Sequence, residues 1–445
     1  MIEALLPALT GTVTARRDAD YEQVRRECTW VLNVPPRRPE LIVRAASVED
    51  VVAVVRHAAE RRMPVTVKGT GHSHAAAFLR DGGIMLDVSA LACARMLDDG
   101  ITAQVGPGIR SAEVAAFLAG HGRAFPQGHS GGVGIGGFLL GGGMGFNGVA
   151  WGEFSAANVE AVDVVTAAGE LLTVSAEQHP DLFWAARGAG PGFPAVAVGF
   201  RLRTFPLPAG MHSSRWTYPF EAARAVAQWL QAHADGPDGA NVERFVSLEA
   251  TATGGHVCKA VAIAFEREIA DARAALATLA DSAPPGALDA AGPAPVSFAR
   301  LYAGGITGEP GRTVNDTIWT DDPVGATVAL ARRVELAPSP RTIAMVDYRP
   351  APSRSLPDMA VSIAARGFLS WGAKWGDQDD DAINVGWNDV TQAALEPFSA
   401  GSYVNETDVV RHPERARRCF TAAAWERLLD VRREYDPRGL FPPAW

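Results

Sequence analysis

Lysine is almost missing from this chain: Lys68, Lys259 and Lys374 are the only three, and every other cation is arginine. That bias reads as the signature of a GC-rich bacterial genome and carries no mechanism. The 41 basic residues stand against 50 acidic ones, a net charge of −9, so no overall basic footprint exists for nucleic acid or anionic lipid. Cysteine is equally sparse. Cys28, Cys93, Cys258 and Cys419 are scattered without the CxxC or CxxH spacing of a structural zinc site, and read as reduced thiols. Long apolar runs are absent too: none approaches the roughly 18–20 residues of a membrane-spanning helix. The stretch Met1–Pro7 has an acid where a secretion leader needs a cation, and Pro7 interrupts its apolar run. A soluble, cytoplasmic protein with a small-molecule partner is expected.

What is present is ordinary globular material. Of 445 residues, 47% are hydrophobic and 20% charged, enough for a large core in two or three domains. Leu41–Arg44 reads as a strand, Ser47 as the cap of a helix with Val48, Val51, Val52 and Val55 on one face, and Val65–Lys68 as a second strand. This β-α-β unit ends in the loop Gly69-Thr-Gly-His-Ser-His74, and loops at strand ends are where α/β domains place ligands. Strands are expected at Ile84–Asp87, Arg95–Leu97 and Thr102–Val105, and a helix capped by Ser111 runs to Ala119. Residues 128–152 follow, so rich in glycine that irregular backbone is expected. A hairpin at Val159–Thr166 and Leu171–Val174 comes next. Pro206-Leu-Pro208 marks a crossing into a second, α+β region with strands near Phe245–Ala250 and Val257–Ala264. Helices are expected near Ala222–Ala234 and Ala270–Asp281, a loop at Ser282–Pro295, and a final helix at Pro413–Glu434.

Gly132, Gly134 and Gly137 satisfy GxGxxG, but Phe125-Pro-Gln-Gly-His-Ser130 is not the buried strand that a nicotinamide-binding Rossmann turn requires. A structural glycine loop is one alternative. The other is that this segment and residues 68–74 jointly hold a dinucleotide pyrophosphate through backbone N–H groups.

The motifs, in order, resemble the berberine-bridge-like enzymes of the vanillyl-alcohol oxidase superfamily, with bacterial 6-hydroxynicotine oxidases the nearer branch. The resemblance rests on Arg38-Pro-Glu-Leu-Ile-Val43, Lys68-Gly-Thr-Gly-His-Ser73, Phe125-Pro-Gln-Gly128, Val133-Gly-Ile-Gly-Gly137 and Asp181-Leu-Phe-Trp-Ala-Ala-Arg-Gly-Ala-Gly190. It continues in Tyr403-Val-Asn405 and in the closing Tyr435-Asp-Pro-Arg-Gly-Leu-Phe441. It covers roughly residues 38–206 and 400–441. It implies an α+β fold: a two-part FAD-binding domain over residues 1–206 with its core at about 37–206, and a substrate domain with an antiparallel sheet over 207–399. Residues 400–445 are expected to return to the FAD domain.

The resemblance also implies FAD bonded through its 8α-methyl to His72. Alone, His72 and His74 also read as an ordinary polar loop or a metal half-site, though no further ligand cluster is evident. The cofactor contacts it implies are Lys68, Gly69, Thr70, Gly71, His72, Ser73 and His74. Further contacts are implied at Gly128, Ser130, Val133, Gly134, Gly136, Gly137, Gly141, Gly142, Gly143, Val196 and Asn405. Many relatives add a cysteine bond to flavin C6 at a position that is Ser130 here. A serine does not supply the thiolate that chemistry uses, so one covalent bond is expected. Phe138 stands where plant members carry histidine, and Pro194 replaces a usual glycine. Val133 aligns beside flavin C4a, where residue size governs oxygen access.

Tyr403 is implied as a base, provided its pKa of about 10 is lowered; otherwise it is a packed aromatic. Leu369, Trp371 and Ala373 alternate with Ser370, Gly372 and Lys374 as a strand does, which makes Lys374 either a pocket residue or a solvated one. Asp377–Asp381 lacks the glycine and glutamate of a calcium loop. The expected activity is hydride removal from an alcohol or amine carbon of a small aromatic, sugar-like or secondary-metabolite substrate, with O2 reoxidising the flavin to H2O2. A dehydrogenase or oxidative cyclase of the same fold, or a non-catalytic flavin-binding protein, is the alternative.

Overall fold

The computed structural model describes residues 9–236, 240–303, 311–351 and 356–445; the Met1–Pro7 stretch read for a leader lies outside them. After a short helix at Tyr21–Glu27, a longer one spans Val48–Arg61, and Ser47 caps it by accepting the Asp50 N–H at 3.2 Å. Val51, Val54, Val55 and Ala58 on its inner face are wholly buried, which is why the helix lies on a sheet. That sheet has four strands in the order Thr12–Ala15, Leu41–Arg44, Ile84–Asp87, Val65–Lys68, the last three parallel. The C-terminal tail docks on its edge. Leu440 accepts the Val65 N–H at 2.7 Å, the Asp436 carboxylate accepts the N–H groups of Leu440 and Phe441, and both side chains join the core of this sheet.

A five-stranded antiparallel sheet follows, ordered Ala94–Met96, Thr102–Val105, Ala195–Arg203, Val159–Thr166, Leu171–Ser175. The helix expected to be capped by Ser111 instead has Ser111 as its first helical residue and Arg110 as its cap, with Arg110 N–H donating to Glu113 Oε2 at 2.8 Å. Ser111 Oγ is thereby free to donate to the Val133 carbonyl at 3.1 Å. The glycine segment is not irregular throughout. Ile135–Leu140 is helical because Ile135 and Leu139 are wholly buried, and packing overrides the weak propensity of glycine.

The third sheet has seven antiparallel strands in the order Asp289–Pro295, Gly210–Pro219, His256–Glu266, Val242–Ala250, Ile343–Tyr348, Gly367–Trp375, Arg312–Thr320. Its first strand lies where a loop was expected; its residues are mostly exposed, as an edge strand permits, so they lack the apolar signal of a central one. Helices Ala223–Ala234, Ile269–Asp281, Pro323–Val334 and Asp381–Leu395 cover one face. The other face meets the glycine segment: Ile263 and Phe265 cluster with Phe146 and Phe298, and Trp319 and Phe368 cluster with Phe154 and Tyr403. The final helix is broken into a 3₁₀ turn at Pro413–Cys419 and an α-helix at Ala422–Tyr435, because extended Phe420 separates them and Thr421 caps the second by accepting the Ala424 N–H. The α+β architecture is as expected.

Candidate functional site: a crevice between the glycine segment and the seven-stranded sheet

The strand Val65–Lys68 delivers its end into the loop that carries His72. Lys68 does not point at open space: its Nζ lies 3.0 Å from Asp87 Oδ2, and both side chains are buried. Arg44 shares the same carboxylate oxygen at 3.3 Å. The pair ties the loop's root to the neighbouring parallel strand. Gly71 follows at φ +81°, where an added Cβ would lie 2.2 Å from the Cys28 carbonyl oxygen, so only glycine fits the turn. His72 then stacks on Trp30, with ring centroids 4.8 Å apart and 12° between planes, while His74 meets the same indole edge-on at 5.0 Å. Trp30 Nε1 donates to the His72 carbonyl at 3.0 Å. Burial pulls His72 down to about 4, and burial with the neighbouring His72 pulls His74 down to about 3. Both imidazoles are therefore neutral at pH 7, and His74 Nδ1 is buried without a hydrogen-bond partner.

The glycine segment packs directly on this loop. An added Cβ at Gly134 would sit 2.6 Å from the Thr70 side chain, and one at Gly136 would sit 2.9 Å from Pro107. Those two glycines serve close backbone approach within the protein. At Gly132, by contrast, the nearest atoms to an added Cβ are His72 Cδ2 and Nε2 at 3.7 and 3.8 Å and Ser130 Oγ at 4.0 Å. His72 and Ser130 thus share one corner. Gly137, in the helix Ile135–Leu140, has nothing within 4 Å of such a Cβ, so the surface of that helix is open there.

The C-terminal segment locks the far side. Asn405 Nδ2 donates to the carbonyls of Gly137 at 3.1 Å and Phe138 at 3.3 Å, and to the Tyr403 hydroxyl oxygen at 3.2 Å. Tyr403 also accepts the Gly143 N–H at 3.1 Å. Burial raises the Tyr403 pKa and the Glu406 carboxylate raises it further. The condition for a tyrosine base was a lowered pKa, and the structure sets the opposite one.

An open helix surface at Gly137, neutral histidines in the loop packed on the same glycine segment and an unpartnered buried Nδ1 suit a dinucleotide flavin. The FAD binding domain family matches residues 39–175. Across 94% of this chain and 93% of that protein, the chain is 31% identical to the FAD-linked oxidoreductase nodO of Hypoxylon pulicicidum. This chain belongs to the FAD-linked oxidoreductases. Over 221 residues, 49% of this chain and 44% of the relative, it is 36% identical to the xylooligosaccharide oxidase of Thermothelomyces thermophilus. The fold is that of 6-hydroxy-D-nicotine oxidase from Arthrobacter nicotinovorans, with a TM-score of 0.85 and 22% identity over 97% of this chain and 96% of that one. Berberine-bridge-like structures share it.

The motif residues of this oxidoreductase are brought together unevenly. Thr70, His72 and Ser130 meet at the loop-to-glycine contact, Gly69, Ser73 and His74 lie along the same loop, and the Val133 carbonyl is fixed by the Ser111 N–H at 2.8 Å. Gly128 lies under Val133, whose Cγ1 is 3.4 Å from the position of an added Cβ. Gly141, Gly142 and Gly143 instead face protein: added Cβ atoms there would collide with Asn405, Val361 and Phe138. Val196 is wholly buried in the core between the first two sheets. Lys374 lies on the crevice face of its strand but toward one end, opposite Thr313, whose N–H donates to Asn33 Oδ1. Asp381 is engaged by Arg312 and by Trp375 Nε1 at 2.7 Å. Among the described residues no group of three or more His, Cys, Asp or Glu is arranged to hold a metal ion, and no helix is long and apolar enough to cross a membrane.

Sequence reasoning missed the acidic lining of the crevice. A small cavity of about 20 Å3 is lined by His129, Met144, Glu243, Asp347 and Arg349. His129 Nε2 is 3.8 Å from Glu243 Oε2, Arg349 is 2.9 Å from Glu153 and 3.5 Å from Asp347, and Glu243 Oε1 accepts the Asn147 N–H at 2.6 Å. Burial works against charge on His129, but its bond to Glu243 and the charges of Glu243, Asp347 and Glu406 prevail and raise it. Asp347 is pushed up to about 6 by burial, with Glu243 adding to the effect. Glu243 and Asp347 sit on unremarkable strands and gave no signal. Glu406 had one, as the residue directly after Tyr403-Val-Asn405.

Proposed function

We propose that this FAD-linked oxidoreductase is an oxidase with FAD held by a single covalent bond to His72, oxidising a hydroxyl- or amine-bearing carbon of a small polar molecule. Bound FAD supplies the hydride acceptor, and passing the electron pair to O2 yields H2O2. The reading is carried by His72, an imidazole kept neutral by burial, oriented by Trp30 and facing Gly132 and Ser130. A neutral ring nitrogen is the form able to make a bond to carbon. The cofactor would be held by the backbone of Gly69–Ser73, Gly132–Val133 and Gly137. Ser130, in the same corner, has no thiolate to add a second link. The crevice face of the sheet supplies Ser370, Asn315 and the acidic lining, which orient donors such as hydroxyl or ammonium groups.

The test is the mass of the denatured chain. It should carry one FAD increment, which His72→Ala should lose while remaining folded and binding FAD reversibly. Xylobiose, 6-hydroxynicotine and benzyl alcohol serve as probes for anaerobic bleaching and for H2O2 release. A wild-type chain without the increment refutes the His72 bond, and a reduced enzyme that persists for minutes in aerated buffer refutes the oxidase.

A further inference from the structure

We infer that Glu406 is the residue that takes the O–H or N–H proton of the substrate, an assignment that rests on the oxidase reading above. The geometry follows from its neighbours in sequence. Asn405 is spent on the carbonyls of the glycine segment, so the next residue turns to the opposite wall, where the seven-stranded sheet stands. There Asn315 Nδ2 donates to the Glu406 carbonyl at 3.2 Å, and Ser370 Oγ donates to Glu406 Oε2 at 3.1 Å. Ser370 lies on the crevice face of its strand because Leu369, Trp371 and Ala373 turn into the helix-covered core. Glu406 thus reaches the sheet while its neighbour Asn405 holds the glycine segment at Gly137, and its charge is felt by His129, one residue from Gly128 and Ser130.

The other candidates are engaged. The Tyr403 oxygen already accepts two hydrogen bonds, from Gly143 N–H and Asn405 Nδ2, which leaves the phenol only a proton to give. Glu243 has one oxygen held by the Asn147 N–H and the other turned to His129 at 3.8 Å, while Asp347 and Glu153 lie by Arg349. Lys374 lies toward one end of its strand, opposite Thr313. The groups that face Glu406 are His129 from the glycine segment, Ser370 and Asn315 from the sheet and Tyr403 on its own segment. Burial, only partly offset by Ser370, His129 and Asn315, raises the Glu406 pKa, toward the working range of a general base. In the step, the substrate's X–H bond breaks and its proton joins a Glu406 oxygen. The adjacent C–H bond breaks, its electron pair goes to FAD as hydride, and a C=O or C=N bond forms. The substrate loses two electrons, FAD gains them, and the carboxylic acid returns its proton to water.

The experiment compares wild type with Glu406→Gln and Glu406→Asp, each loaded with FAD, in two measurements. The first is anaerobic bleaching by xylobiose, 6-hydroxynicotine and benzyl alcohol from pH 5 to 9. Glu406→Gln should lower the rate about 10²–10⁴-fold and abolish its rise with pH, with Glu406→Asp partly restoring both. The second is Tm against pH. A carboxyl raised in the folded state binds more protons folded than unfolded, so stability falls as pH climbs from its ordinary value through the raised one. Glu406→Gln should therefore melt above wild type at pH 8, and the gap should close toward pH 4. Wild-type bleaching and pH profile in Glu406→Gln, or a lower melting point than wild type at pH 8, overturns the assignment. A wild-type chain without bound FAD is a different failure, that of the oxidase reading itself.

Discussion

Lys68 separates two accounts of the His72 loop. As a cofactor contact, its loss should release FAD and leave the fold intact. The structure instead gives it a buried partner, Asp87, at 3.0 Å, with side-chain exposures of 6% and 1%. Breaking a buried pair by removing one partner costs about 3–5 kcal/mol, because the remaining charge stays desolvated. Two groups soften that cost here: Arg44 sits 3.3 Å from the same oxygen, and the Ser89 N–H donates to the other at 2.8 Å. Lys68→Met should therefore fall at the low end, about 3 kcal/mol. At about 2 °C per kcal/mol for a large chain, the FAD-domain transition should drop by about 6 °C. Pairing it with Asp87→Asn, which keeps an oxygen for Ser89 and removes the orphaned charge, should recover at least half of the loss, the non-additivity expected of contacting residues. Calorimetry of the single and double variants, with FAD content read by absorbance, decides the matter. A Lys68→Met protein that melts with wild type but has lost FAD refutes the structural account.

Gly141→Ala would place a Cβ 2.1 Å from Asn405 Nδ2. Expelling that side chain forfeits three hydrogen bonds at about 1 kcal/mol each, so Tm should fall, and adding Asn405→Ala should cost little more. Tyr403→Phe strands the buried Gly143 N–H, an expected loss of about 1–3 kcal/mol. Anaerobic bleaching should change less than about tenfold, and a loss of about 10²-fold or more would restore the phenol as the base. Val133→Ile adds a methylene beside Gly128 and should slow reoxidation by air with flavin reduction nearly unchanged; equal changes in both half-reactions would reduce Val133 to packing.

Local signals carried much of the architecture. The Ser47 cap, the valines on one face of Val48–Arg61 and the apolar strands Leu41–Arg44 and Val65–Lys68 are short-range patterns, and the chain obeys them. Where the sequence misled, distant packing had overruled a local preference. Ile135–Leu140 is helical against its glycines because Ile135 and Leu139 are buried, and Asp289–Pro295 is a strand because Gly210–Pro219 offers it an edge.

Motif order alone determined the cofactor family and the candidate attachment point at His72, since those depend on residue types in sequence. Only the tertiary structure decided what surrounds them. Lys68 meets Asp87 across two parallel strands, and Tyr403 has its oxygen filled by Gly143 and Asn405. His129, Glu243 and Asp347 gather from three separate segments into one cleft, and the charge of Glu406 from a fourth is felt by His129. Burial and the approach of charges set those proton affinities, and both are properties of neighbours in space that no run of consecutive residues encodes.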